Sequence, residues 1–143
     1  MPLRHLSLIL LLLATVLTGC SREPPEDGLQ RAVSQLQENL EAKQNNAVLE
    51  QLHPQFIAQQ QFDRDWARRT MALLFLRHRN VQVIALGTRN RLDPGSRTRG
   101  YTNSEVTLAG AEGLIPDSAR QYSASLEWWL EDGEWKLARL DWK

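Results

Sequence analysis

Trp128-Trp129-Leu130-Glu131-Asp132-Gly133-Glu134-Trp135-Lys136-Leu137 is the stretch on which the fold turns. Two apolar runs flank an Asp-Gly pair, the strongest short hairpin signal. A type I′ turn needs positive φ at both central residues, and Asp and Gly accept it cheaply. A two-residue turn there sets Glu131 opposite Glu134, Leu130 opposite Trp135, Trp129 opposite Lys136 and Trp128 opposite Leu137. Upstream, residues 120–131 alternate with period two. Tyr122, Ala124, Leu126, Trp128 and Leu130 share one face, and Ser123, Ser125, Glu127, Trp129 and Glu131 the other. Downstream, over 134–142, Trp135 and Leu137 keep the parity of Trp128, whereas Ala138, Leu140 and Trp142 reverse it. That reversal predicts a bulge or strong bend near Leu137–Arg139.

Moving toward the N-terminus, two more strands precede this hairpin. Val81-Gln82-Val83-Ile84-Ala85-Leu86 begins one, and Tyr101 to Leu108 forms the other. Asp93-Pro94-Gly95-Ser96 supplies a turn between them. Residues 109–113 and Pro116-Asp117 read as a loop. Before residue 80 the period is near four. Leu29, Val33, Leu36 and Leu40 stand at i, i+4, i+7 and i+11, one face of a helix over about 27–43, with Asp27 as cap or first-turn acid. A short helix, about 46–53, carries Val48, Leu49 and Leu52 and stops at Pro54. Asp63 caps a third helix, about 64–79, whose apolar face holds Trp66, Thr70, Leu73, Leu74 and Phe75. Phe56, Ile57 and Phe62 are core candidates between them. Three helices followed by antiparallel strands predict an α+β domain, with the helices packed on a curved sheet of about four strands.

The ending and the order resemble the nuclear transport factor two-like (cystatin-like) superfamily. Its last hairpin is similar to residues 128–137, and its second helix with the chain that follows is similar to Ala47–Phe56. The resemblance spans about residues 27–143. It implies a cone: a bent sheet wrapped around a long helix, with an apolar pocket open at one end. Superfamily members include isomerases, dehydratases and many non-enzymes, so fold alone does not assign an activity. The isomerase-like members hold a carboxylate base and acidic donors in the pocket, and the resemblance maps no such set onto this chain.

Hydrophobic residues make up 42% of the chain and charged residues 24%, an ordinary globular composition. Lys+Arg and Asp+Glu both number 17. A neutral chain lacks the basic surface that phosphate backbones require, so nucleic acid is not an expected partner. The histidines lie far apart and away from the lone cysteine, without zinc-ligand spacing. No Gly-rich phosphate loop or nucleophile elbow is visible. No metal and no cofactor is therefore expected.

His53, before Pro54, reads as the end of the short helix, and His78 as a cation at the C-terminus of the third. Tyr101, Tyr122, Asp93, Glu105 and Glu127 are the polar groups available to a pocket. The tryptophans stand out: Trp128, Trp129, Trp135 and Trp142 lie close together. Trp128 and Trp129 must face opposite sides of the sheet, so one belongs to the core and the other to an outer surface. Trp129 facing Lys136 suggests a cation–π pair. Trp128, Trp129, Trp135, Tyr101 and Tyr122 are the candidate ligand- or partner-binding residues, since tryptophan concentrates at binding hot spots.

The N-terminus carries a different signal. Arg4 precedes Leu6 to Leu17, an apolar run of about a dozen residues, too short for the roughly 20 a spanning helix needs. This is the pattern of a secretory leader. Its end, Leu17-Thr18-Gly19-Cys20, resembles the bacterial lipobox. The resemblance implies cleavage before Cys20, diacylglyceryl transfer to its sulfur and acylation of the new amine. Residues 1–19 are then a signal peptide, 20–28 a lipidated tether containing Pro24-Pro25, and 29–143 the domain. Multiple acyl chains anchor stably where one does not. Ser21 after the cysteine favours the outer over the inner membrane, on the periplasmic side. Three functional expectations follow: a non-enzymatic domain binding a small apolar ligand or an envelope protein, a pocket enzyme of isomerase or hydratase type, or a structural subunit of a secretion or envelope assembly.

Overall fold

The computed structural model describes residues 22–110, 113–114 and 121–143. Cys20 and the leader lie outside the described residues, as does most of the loop expected after β3. The elements in chain order are α1 (Pro25–Glu41), α2 (Asn45–Gln51), β1 (Leu52–Ala58), α3 (Arg64–Arg77), β2 (Gln82–Asp93), β3 (Ser96–Gly110), β4 (Gly113–Leu114), β5 (Tyr122–Glu131) and β6 (Glu134–Trp142). Three helices pack on an open, curved sheet with strand order β1-β6-β5-β3-β2, while the two-residue β4 pairs with β3.

The β5–β6 hairpin has the predicted register, from Glu131↔Glu134 through Trp128↔Leu137. Asp132 (φ 51°) and Gly133 (φ 78°) both take the left-handed conformation that the turn demands. Beyond Leu137 the ladder shifts, and Glu127 pairs with Arg139. Ala138 is the extra residue, fully buried, at the predicted bulge. With it in place Leu137 and Leu140 both face the core side, so the reversed parity resolves into a bent strand. A second irregularity lies in β2, where Gly87 (φ 61°) and Thr88 stand between the pairs Leu86↔Glu105 and Arg89↔Asn103.

β1 departs from the sequence expectation of a helix end and a connecting segment. The short helix stops at Gln51, and Leu52–Ala58 runs parallel to β6 at the sheet edge. An edge strand tolerates Pro54, which has no N–H to give to a ladder. Between the paired positions Leu52↔Leu137 and Ile57↔Arg139 the strand arches away. The Arg139 guanidinium donates to Gln55 O across that arch (2.9 Å).

The core joins Leu29 of α1, Ala67 of α3, Leu52, Phe56 and Ala58 of β1, and Trp128, Trp135 and Leu137 of the hairpin. Gly100 on β3 lets Leu29 approach the sheet, for a Cβ there would lie 2.7 Å from Leu29 Cδ2. Asp63 caps α3, accepting from Trp66 N at 2.9 Å. The buried face of α3 differs from the expected one: Ala67 and Met71 are buried, Trp66, Leu74 and Phe75 half-buried, and Leu73 is 57% exposed. The helix leans on the core through Trp66 and Ala67 near its start, while Leu73 and Leu76 stay exposed. Asp27 sits in the first turn of α1 and Pro24 takes the cap position.

Candidate functional site

Paired residues across neighbouring strands share a face of the sheet. One face, toward the helices, carries Trp128, Leu137, Gly100, Thr102 and Tyr122. Trp128 has no exposed surface and its Nε1 donates to Thr102 Oγ1 (3.1 Å). Thr102 Oγ1 in turn donates to Asn90 Oδ1 (2.7 Å). Ser104 Oγ lies 2.9 Å from Thr88 Oγ1 and donates to Leu86 O at 3.2 Å. Buried polar residues among those described are Thr102, Ser104 and His53. Thus the two buried on the inner face are hydroxyls, and no buried carboxylate stands among the described residues.

The other face carries Tyr101, Glu127, Trp129 and Arg99. The Trp129 ring lies between two guanidiniums, Arg99 at 4.6 Å and Arg139 at 5.0 Å. Its Nε1 donates to Glu127 Oε1 (2.7 Å), which also receives Arg99 (2.6 Å). The cation–π partners are therefore arginines; Lys136, opposite Trp129 as expected, reaches Glu50 O (2.7 Å) and Glu134 Oε2 (3.0 Å) instead. His53 meets the Trp129 edge with ring centroids 4.6 Å apart. Rather than ending the helix, His53 ties β1 to β5. Gln55 N donates to its Nδ1 (3.0 Å), so in the neutral ring Nε2 carries the proton and donates to Glu131 Oε2 (3.0 Å).

Tyr101 donates to Asp93 Oδ2 (3.1 Å), under the Arg91 guanidinium at 4.5 Å. Burial, then the Asp93 hydrogen bond and the charge of Glu127, push its phenol above the ordinary value of 10.0. This Tyr–carboxylate pair stands on the outer face, beside the β2–β3 turn. Glu105 receives Ser123 Oγ (2.6 Å), also outside.

A groove of about 1400 Å³, open to solvent, lies where the chain enters the domain, between the start of α1, α2 and the β5–β6 turn. Trp135 lies against its inner side, largely covered, with Nε1 donating to Pro25 O at 3.1 Å. Amide side chains line it. Asn39 Nδ2 donates to Gln51 Oε1 (2.8 Å), and Gln35 Nε2 to Asn39 Oδ1 (3.2 Å). Charged side chains line it too: Arg31 is paired with Glu23 and Lys136 with Glu134.

The five candidate residues are thus divided. Trp128 and Tyr122 belong to the inner face, Trp129 and Tyr101 to the outer, and Trp135 alone lines the groove. Sequence reasoning missed the groove's amides because Gln35, Asn39 and Gln51 look like the solvated side of two helices. The signal available was the i, i+4 spacing of Gln35 and Asn39 on α1. Among the described residues no group of His, Cys, Asp and Glu is arranged to hold a metal, and no helix is long and apolar enough to cross a membrane.

No sequence family and no curated protein matches the chain. Solved structures do match in shape. Bd1075 of Bdellovibrio bacteriovorus superposes with a TM-score of 0.68 at 10% identity, over 80% of this chain but only 38% of that one. An NTF2-like protein of unknown function from Pseudomonas putida gives 0.67 at 6% identity, covering 82% of this chain and 84% of its own. A hexachlorocyclohexane dehydrochlorinase from Novosphingobium barchaimii gives 0.61 at 13%, covering 82% and 84%. With three helices laid on a bent, open mixed sheet and these neighbours in shape, the domain has the nuclear transport factor two-like, or cystatin-like, fold.

Proposed function

We propose that this protein is an envelope lipoprotein, lipid-anchored at Cys20 and facing the periplasm, whose domain binds a ligand or partner without catalysis. The groove beside the chain's entry carries the reading, since amides, an indole and charges of both signs converge there in an open site. The isomerase-type alternative gains no comparable support. It calls for a carboxylate converging with a tyrosine inside the cone, and the Tyr101–Asp93 pair stands outside it. The dehydrochlorinase activity belongs to the Novosphingobium protein and fixes nothing at 13% identity.

Native mass spectrometry of the full protein extracted from its host membranes tests both halves. The expected species begins at Cys20, carries fatty acids and retains an additional bound mass. Gln35→Trp, which fills the groove from an exposed position, is expected to remove that mass. An intact leader or an unacylated chain overturns the anchor. Retention undiminished by Gln35→Trp overturns the groove as the binding site.

A further inference from the structure

The chain becomes part of the folded domain almost as soon as it leaves the anchor. Gly28 N and Asp27 N both donate to Pro24 O (3.1 Å each), and Trp135 holds Pro25 O. Arg31 pairs with Glu23. Only Ser21 to Glu23 separate Cys20 from Pro24. Even fully extended, that stretch spans at most about 14 Å. The groove begins at this end, with Arg22, Glu23, Pro24 and Pro25 among its walls and the β5–β6 turn and Arg97 beside them, and runs along α1 as far as Asn39. The opposite end lies one helix length away: α1 runs over 17 residues, and beyond it Lys43 Nζ reaches Phe75 O near the end of α3.

We infer that the groove is pressed against the anchoring bilayer and seats the zwitterionic headgroup of a phospholipid; this rests on the lipid anchor proposed above. The charges fit that chemistry. With Arg31 and Lys136 paired to Glu23 and Glu134, Arg22 and Arg97 remain as cations without an ion pair among the described residues. Glu50 and Asp132 remain as acids in the same state. A phosphate meets the two arginines and an ammonium the two acids, while Gln35, Asn39 and Gln51 offer hydrogen bonds between. A purely anionic headgroup satisfies only the first half.

Nitroxide labels on the full acylated protein in vesicles test this. One is placed at Thr98→Cys in the groove wall and one at Leu76→Cys on the exposed end of α3. Nickel chelated to lipid headgroups is expected to relax the Thr98 label several-fold faster than the Leu76 label in phosphatidylethanolamine vesicles. Arg22→Gln and Arg97→Gln are each expected to lower the docked-to-undocked ratio about fivefold. Equal relaxation of the two labels overturns the orientation. A contrast untouched by both substitutions, or stronger in pure phosphatidylglycerol vesicles, overturns the headgroup assignment. Mass spectrometry of the same sample separates the two readings. An acylated chain without contrast sinks this inference alone, and an unacylated chain sinks the anchor with it.

Discussion

Thr102 illustrates what a single hydroxyl does in this sheet. It accepts from the fully buried Trp128 indole and donates to Asn90. Thr102→Val keeps the shape and removes both roles, leaving a buried N–H without an acceptor. We expect a loss of about 1–3 kcal/mol, measured by urea unfolding. Gly100 acts by being absent. Adding a Cβ 2.7 Å from Leu29 Cδ2 and 3.2 Å from Leu29 Cδ1 forces that buried side chain to move. Gly100→Ala is expected to cost about 1–3 kcal/mol in the same assay. Tyr101 gives the pH-dependent case. Its folded phenol is raised above 10.0, so its contribution to stability is complete below that value and is lost as pH climbs through the folded pKa. Tyr101 is expected to ionise above 10.0 in an ultraviolet titration, and Asp93→Ala to bring it earlier. An unshifted titration in Asp93→Ala removes the hydrogen bond as a cause. At this scale the sequence distinguished Trp128 from Trp129 by parity. It gave no hint of Thr102 or of the His53–Glu131 contact, because their partners lie 26 and 78 positions away.

Elements formed by local chemistry were legible: the Asp-Gly turn, the bulge at Ala138 and the Asp63 cap all announce themselves within a few residues. β1 was not. It pairs in parallel with β6, some eighty positions on, and Leu52-His53-Pro54 carries the marks of a helix stop. The edges of an open sheet invite unwanted pairing. At β2 the protein blocks this with α1. Glu41 Oε1 accepts from Val83 N (2.8 Å), and Gln37 Nε2 donates to Val83 O (2.9 Å). Glu41→Ala frees the first of these edge groups. Faster amide exchange at Val83 and a loss of about 1 kcal/mol are expected, with concentration-dependent association as the visible consequence. Unchanged exchange at Val83 rules out the blocking role.

The whole molecule joins the start of its first helix to the last hairpin. α1 begins under Trp135, a residue of the last strand, and that strand sits between β1 and β5 within the sheet. The cone was foreseeable from the order of elements. The position of its open groove was not, because that depends on where a helix start meets a distant hairpin. The staple at Trp135 carries a mechanical consequence. Any pull arriving through the residues before Pro24 enters the sheet at β6, a strand paired on both sides, so that two ladders must give together. A tug at the periphery would instead peel one strand at a time. Load entering at Trp135 is shared by the ladders to β1 and β5 before either can open.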